Sequence, residues 1–445
     1  MEKKWEDMTS DEKQEALFQG WLSPQGVEFA SPEAEKLYKE RATRIKDAIQ
    51  LKKLPDRVPV FLIPSFAPAY YSGLTPHDVM YNYDKIAPAW KKFYTDFQPD
   101  AHGGPFVPSP GKFVEILDFK LYQWPGHGVP PETTYQCIEG EYMKADEYDI
   151  LIHNALYFLY YIWPSRVFGA LEPLQTLPPL AGLTEMYGVS LPFIPYGLPP
   201  VKAAYKALLE AGDEALKWIG AVGAFLHEMP ALGFPAYQAG ATKAPFDVIG
   251  DTLRGTRGIM LDMYRQPDKL IQAMEALTPM FIQLGVGAAK QNGCPLIFMP
   301  LHKGADGFLS DEQFKKFYWP TLRKVIMGLV DEGVVPFIWA EGGYNSRLEV
   351  IRDLPKGKTA WLFDQTDMAK AKKALDGIAC VGGNMPMDLL TVGTPEDSKA
   401  YAKKLIDTCG KGGGYIMANG AFFDEVKFEN LKVIVDTVKE YGVYK

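Results

Sequence analysis

The chain is poor in the residues that build disulfide frameworks and clustered metal sites. Its four cysteines, at 137, 294, 380 and 409, include no CxxC pair and no close spacing. That excludes a secreted disulfide scaffold and makes a reducing cytoplasm the expected compartment. Histidine is almost as sparse, with six in 445 residues. Basic residues do not outnumber acidic ones, and the formal net charge is -8 with both signs mixed. A nucleic-acid binder would carry a basic patch, which is missing. No apolar run reaches the ~18 residues of a membrane span. The most apolar stretch, Ala155–Trp163, is half that length and reads as core or cover. The charged start, MEKKWEDMTSDEKQEAL, lacks the apolar centre of a secretory signal.

Several motifs are missing too. No GxGxxG follows the first apolar strand, and GKGGG at 410–414 lacks the GK[ST] ending of a phosphate loop, so it reads as a helix stop. There is no Gly-x-Ser-x-Gly, no His-Glu-x-x-His and no cysteine paired with a nearby histidine, which leaves serine, cysteine and zinc-protease hydrolysis unsupported.

What is present is a large apolar complement, 47% of the residues, and a regular rhythm in the C-terminal half. The centre of the pattern is Val334–Gly343, VVPFIWAEGG, an apolar run ending in a carboxylate and two glycines. Continuous apolar runs bounded by turn signals are the mark of parallel strands covered on both faces. Four similar runs lie near it: 296–304, 359–367, 377–386 and 414–422. Each ends on a polar residue: His302, Glu341, Asp364, Asn384 and Asn419. Helical segments separate them, opened by Ser310/Gln313, Asp367 and Thr394-Pro395 and stopped by Gly293, Gly333 and Gly410. The alternation predicts an α/β fold, a (β/α)8 barrel whose strand C-termini share one face. An open doubly wound sheet is the alternative. Residues 1–55 read as an N-terminal helical extension, with a Thr9/Glu12 capping box and Ser31-Pro32 as a second helix start. Val58–Pro64 is the first strand, and 98–150 reads as irregular. Residues 151–233, rich in proline and aromatics and ending in a helix over 202–228, read as an inserted, lid-like segment over the barrel mouth or as packing outside it.

The strand-end residues are the candidates for chemistry. His302 suits metal ligation or proton donation, or caps its strand. Glu341, between an apolar strand and Gly342-Gly343, is costly unless solvated, paired or metal-bound; pairing with Arg347 is the plain structural reading. Asp364 binds ligand or caps the following helix. Cys380 lies inside a strand, as a core residue or a zinc thiolate. Tyr71, Trp124 and Trp339 line a flat apolar pocket or belong to the core.

Two blocks, ADGFLSDEQFKKFYWPTLRKVI (305–326) and GGNMPMDLLTVGTPEDSKAYAKKLI followed by GGGYIMANG (382–420), resemble the uroporphyrinogen decarboxylase superfamily. The resemblance covers about 230–445 and implies a (β/α)8 barrel. Decarboxylases of that superfamily carry an Arg-Gln-Ala-Gly-Arg element after the first strand; here 63–73 reads IPSFAPAYYSG, without arginine. The other branch moves methyl groups to a corrinoid protein, and many of its members are zinc enzymes. Its coenzyme M-type members have His-x-Cys where this chain has Trp339-Ala340-Glu341, and a cysteine about where Ala421 stands. The resemblance therefore implies an O-demethylase-type methyltransferase. It would take a methyl group from a methoxylated aromatic to the Co(I) corrinoid of a partner protein, in anaerobic one-carbon metabolism. His302, Glu341 and Asp364 would be catalytic, and His302, Glu341 and Cys380 would hold zinc. Tyr71, Trp124, Trp339, Asn384 and Asn419 would contact substrate. A decarboxylase acting on another acid, or a non-catalytic barrel that binds a corrinoid protein, are the alternatives. The expected partners are the corrinoid protein and the aromatic ether, with no nucleic acid and no membrane; a homodimer is open.

Overall fold

In the computed structural model, which describes residues 3–180 and 185–444, the chain closes a ring of eight parallel segments. Five are regular strands paired in sequence order: Leu296–Leu301, Val335–Ala340, Ala360–Phe363, Cys380–Gly382 and Tyr415–Ile416. Three shorter segments complete the circle through parallel bridges: Phe298 to Ala241, Ala236 to His102, Ala101 to Phe61, and Val60 back to Met417. Helices run between consecutive segments and cover the outside. The architecture is the expected (β/α)8 barrel, and the open-sheet alternative is excluded by the Val60–Met417 closure.

Alternation along each strand sorts the side chains. Phe298, Phe337, Trp339, Leu362, Cys380 and Ile416 point inward and form one buried cluster with Phe61, Tyr237 and their neighbours. Ile297, Ile338, Trp361 and Val381 point outward into the larger layer beneath the helices. The N-terminal end of the barrel is plugged by the extension. Helices Ser10–Leu22 and Pro32–Gln50 place Phe18, Trp21, Tyr38, Ile45 and Ile49 in the inner cluster. Their starts follow the expected chemistry: Thr9 and Glu12 form a reciprocal capping box, and Ser31 accepts from the Ala34 N–H ahead of Pro32. Asp100, fully buried, ties this plug to the barrel. It accepts from Arg44 and Arg57 at 2.7–2.8 Å and from the Val60 N–H at 2.8 Å.

Two expectations need correction. Residues 98–150 are not wholly irregular. They contain the second barrel segment, a helix at Gly111–Leu117 and a small sheet of Tyr122–Pro125, Gly128–Val129 and Gln136–Cys137. The helix read as 202–228 runs from Pro199 to Ala231. It lies against Ile86–Phe97 and Gly111–Leu117 of the outer layer. Before it, the indole N–H of Trp163 donates to the Thr252 carbonyl at 2.9 Å.

Candidate active site

Strand register brings the charged residues together. Leu301 pairs with Ala340 and Ala340 with Phe363. One residue further on, His302, Glu341 and Asp364 therefore end adjacent strands at one level, on the inward-facing parity. Nε2 of His302 lies 3.7 Å from Oε1 of Glu341. Asp364 Oδ2 accepts the Gly342 N–H at 3.0 Å, which fixes the turn beyond Glu341. Gly342 has φ +76°, a left-handed conformation that glycine adopts without strain. Arg347 does not pair with Glu341. It is buried against Asp311 and the carbonyls of Gly304 and Leu309, so the plain structural reading of Glu341 fails.

A second pair of carboxylates stands behind His302, on the turn after the third segment. Asp247 and Asp251 are four residues apart and share one helical face over 245–253. Nδ1 of His302 donates to Asp251 Oδ2 at 2.6 Å, while Lys243 and Lys303 approach Asp251 at 3.2 and 3.3 Å. Asp247, with no exposure, accepts from the backbone N–H groups of His302 and Lys303 at 3.0 Å and from the Tyr318 hydroxyl at 2.7 Å. It fixes the fourth strand's end, and Asp251 orients the imidazole.

The electrostatics follow from this arrangement. Burial would raise Asp251, but the hydrogen bond and charge of His302, with Lys243 and Lys303, bring it down to about 2. Burial works against protonation of His302, yet Asp251 and the charge of Glu341 outweigh it, and its pKa lies above the ordinary value. Glu341 is raised by burial and by Asp247, Asp251 and Asp364, against the opposing charge of His302. Asp364 is raised by burial, against the Gly342 N–H. The mouth thus sets an imidazole and a carboxyl, both shifted toward holding their protons, 3.7 Å apart, with Asp251 behind the imidazole.

The floor beneath this pair is aromatic. Trp339, two residues below Glu341 on the same face, stacks on Phe422 at 4.9 Å with the planes 1° apart. Phe422, on the loop after the last strand, is 38% exposed. The hairpin over 122–137 stands beside the mouth. The Tyr122 hydroxyl is raised to about 12 by burial and by the nearby Cys137 and Asp251.

Other candidates lie elsewhere. Cys380 pairs in register with Ala360, and Ala360 with Phe337, four residues before Glu341. At ~3.3 Å per residue it is roughly 13 Å below the mouth, fully buried, its thiol pushed up to about 12 by burial. Among the described residues no three His, Cys, Asp or Glu side chains are grouped to hold a metal ion. His302, Glu341 and Cys380 therefore do not fit as a zinc ligand set. Asn384 spends its amide on the carbonyls of Asp364 and Thr366. Asn419 bonds both the N–H and the carbonyl of Ile63, stitching the last strand to the first. Tyr71 donates to Asp96 at 3.0 Å and packs on Phe97 and Phe428 in the outer layer. Trp124 donates to the Tyr81 hydroxyl and stacks on His127.

Three comparisons bear on this site. The model of the uroporphyrinogen decarboxylase (URO-D) family matches residues 199–441. Uroporphyrinogen decarboxylase of Neisseria meningitidis serogroup C is 26% identical over 221 residues, 48% of this chain and 59% of that protein. The enzyme of Chlorobaculum parvum is 25% identical over 217 residues, 48% of this chain and 60% of that protein. The aligned region thus spans about three-fifths of these relatives' length. Among solved structures, a methyltransferase from Methanosarcina mazei superposes with a TM-score of 0.56 at 16% identity, covering 91% of this chain and 98% of that one. That likeness is one of fold.

Proposed function

Because this chain belongs to the uroporphyrinogen decarboxylase family, we propose that it uses the family's barrel for methyl transfer, taking a methyl group from a methoxylated aromatic to the reduced corrinoid of a partner protein. The observation that carries the reading is the His302–Glu341 pair, 3.7 Å apart at the strand ends, with Asp251 behind the imidazole. An aryl methyl ether resists attack because phenolate is a poor leaving group, so the site must place a proton on the ether oxygen as the C–O bond breaks. The partner's corrinoid supplies the nucleophile, and the methyl carbon passes to it. Glu341 and His302, both holding protons more tightly than usual, deliver the proton to the departing oxygen. Asp251 holds the imidazole so that Nε2–H faces the mouth, and Asp364 fixes the turn that presents Glu341. Trp339 and Phe422 give a flat apolar wall for the ring, and residues 155–168 with the 122–137 hairpin form a rim that limits water. No step runs through zinc.

The name of the curated relatives favours decarboxylation as a second reading. Residues 63–73 offer no arginine to hold the carboxylates of such a substrate, and Arg254 and Arg347 are engaged by Asp262 and Asp311. The test is to supply a reduced corrinoid protein with a panel of aryl methyl ethers and follow methylation of the corrinoid. Transfer that falls in Glu341→Gln and His302→Ala supports the reading. Transfer undiminished in both removes the assigned roles.

A further inference from the structure

We propose that the closed end of the barrel binds a small tetrahedral oxyanion, inorganic phosphate or sulfate, between Arg41, Arg57 and Lys439. Three distant parts of the chain meet there. Arg41 and Arg44 lie one turn apart on the helix Pro32–Gln50, Arg57 precedes the first strand, and Lys439 stands near the end of the helix Phe428–Tyr441. The Val58 N–H donates to the Gly442 carbonyl at 2.9 Å, and Arg57 bridges to Val443, which seats the end of the last helix beside Arg57. Arg41 in turn reaches the loop before the second barrel segment, donating to Gln98 Oε1 at 2.6 Å.

The cluster carries more positive charge than its own carboxylates pair. Asp100 is fully buried, and Arg44 and Arg57 share it. Asp56 is taken by Arg44 and is 60% exposed. Arg41, only 5% exposed, spends its guanidinium on neutral acceptors, the Gly233 carbonyl and Gln98. Lys439 is half-buried and, among the described residues, makes no ion pair; Asp436, one turn back on its helix, pairs with Lys432 at 2.8 Å. The repulsion shows in both groups. Burial and the charges of Arg44 and Arg57, against those of Asp100 and Glu40, bring Arg41 down to about 10. Burial and the charges of Arg57, Arg41 and Lys432, against that of Asp100, bring Lys439 down to about 8. Cations held out of water are costly unless an anion neutralises them. Donors remain to hold one. A guanidinium has five N–H donors and an ammonium three; Arg41 spends two on the protein and Arg57 three. The several oxygens of phosphate or sulfate suit guanidinium forks, whereas chloride offers charge alone. An ion here ties the N-terminal plug, the first strand and the last helix together.

The test is the melting temperature of the full chain in phosphate-free buffer and with phosphate or sulfate added, sodium chloride holding the ionic strength constant. A ceiling of about 10 mM keeps the general stabilising effect of these salts small. The wild-type protein should gain roughly 1–3 °C over chloride alone, the shift that saturation of one site gives a chain of this size. Lys439→Met removes an unpaired charge and breaks no ion pair, so it should melt no lower than the wild type without phosphate and should lose the gain. Lys243→Met, which removes a cation near His302 at the other end of the barrel, should keep it. A wild-type protein that responds to chloride and phosphate alike overturns the proposal. So does a Lys439→Met variant that keeps the response or melts lower than the wild type in phosphate-free buffer, or a response that Lys243→Met abolishes.

Discussion

Nε2 of His302 sits 3.7 Å from Oε1 of Glu341, while Nδ1 of the same ring is held by Asp251 at 2.6 Å. A histidine anchored on one nitrogen presents the other with a fixed direction and charge. Both are shifted toward holding their protons, His302 against its burial by Asp251 and Glu341, and Glu341 by its burial and neighbouring carboxylates, which suits the proposed proton delivery. Glu341→Gln and His302→Ala should each lower turnover by ~10²–10⁴. If the two act as one unit, the double variant should be little worse than the poorer single. Steady-state methylation rates for the four proteins check this, and multiplicative losses would argue for independent roles.

This relationship was half legible in the sequence. Strand-ending polar residues after apolar runs placed His302, Glu341 and Asp364 on one face, because parallel register and a period of two leave few alternatives once the strands are found. Asp251 and Asp247 carry almost no sequence signal. They sit in APFDVIGDT, where no long periodic run flags a helix, and only their i, i+4 spacing marks a shared face. The second barrel segment is hidden for a related reason, since Asp100–His102 is too short to show alternation. Asn384 and Asn419 stand at strand ends in the sequence, and Cys380 stands inside a strand, where a zinc thiolate and a core residue look alike. Cys380 points into the lower core, and both amides are used up on backbone groups. The inner, tertiary pairing that consumes those groups has no local signature.

Asp251 sets the pH range. Its hydrogen bond helps raise the His302 pKa, so Asp251→Asn should move the alkaline limb of the pH–rate profile to lower pH while a folded, active enzyme persists at the acid side. Asp251 itself is depressed to about 2. Its contribution to stability is present above the ordinary carboxylate range and is lost as pH falls from about 4 toward 2. An alkaline limb unmoved in Asp251→Asn would mean that another group titrates.

The aromatic floor should govern substrate affinity. Phe422 is partly exposed and stacks on Trp339, so Phe422→Ala removes a ring face at little structural cost. KM for an aryl ether should rise several-fold, in line with ~0.5–1.5 kcal/mol per aromatic pair, with melting temperature nearly unchanged. An unaltered KM would place the ring elsewhere.

Asp100 should be a stability residue with no part in chemistry. It is buried between Arg44 and Arg57, far from the strand C-termini. Burial would raise its pKa, but the two guanidinium charges hold it below the usual range. Its contribution is therefore full above the ordinary carboxylate pKa and lost as pH falls through the depressed value. Asp100→Asn should destabilise the fold by roughly 3–5 kcal/mol by denaturant titration at neutral pH. A change under 1 kcal/mol, the range of exposed pairs, would contradict this account of the barrel's closed end.

The most direct measurement is the optical change of a reduced corrinoid protein mixed with this enzyme and an aryl methyl ether, run beside an assay for decarboxylation of uroporphyrinogen. The account predicts methylation of the corrinoid and release of the phenol by the wild-type protein, a large loss in Glu341→Gln, and no decarboxylated porphyrinogen. Decarboxylation without methyl transfer, or no transfer from any ether in the panel, would contradict it.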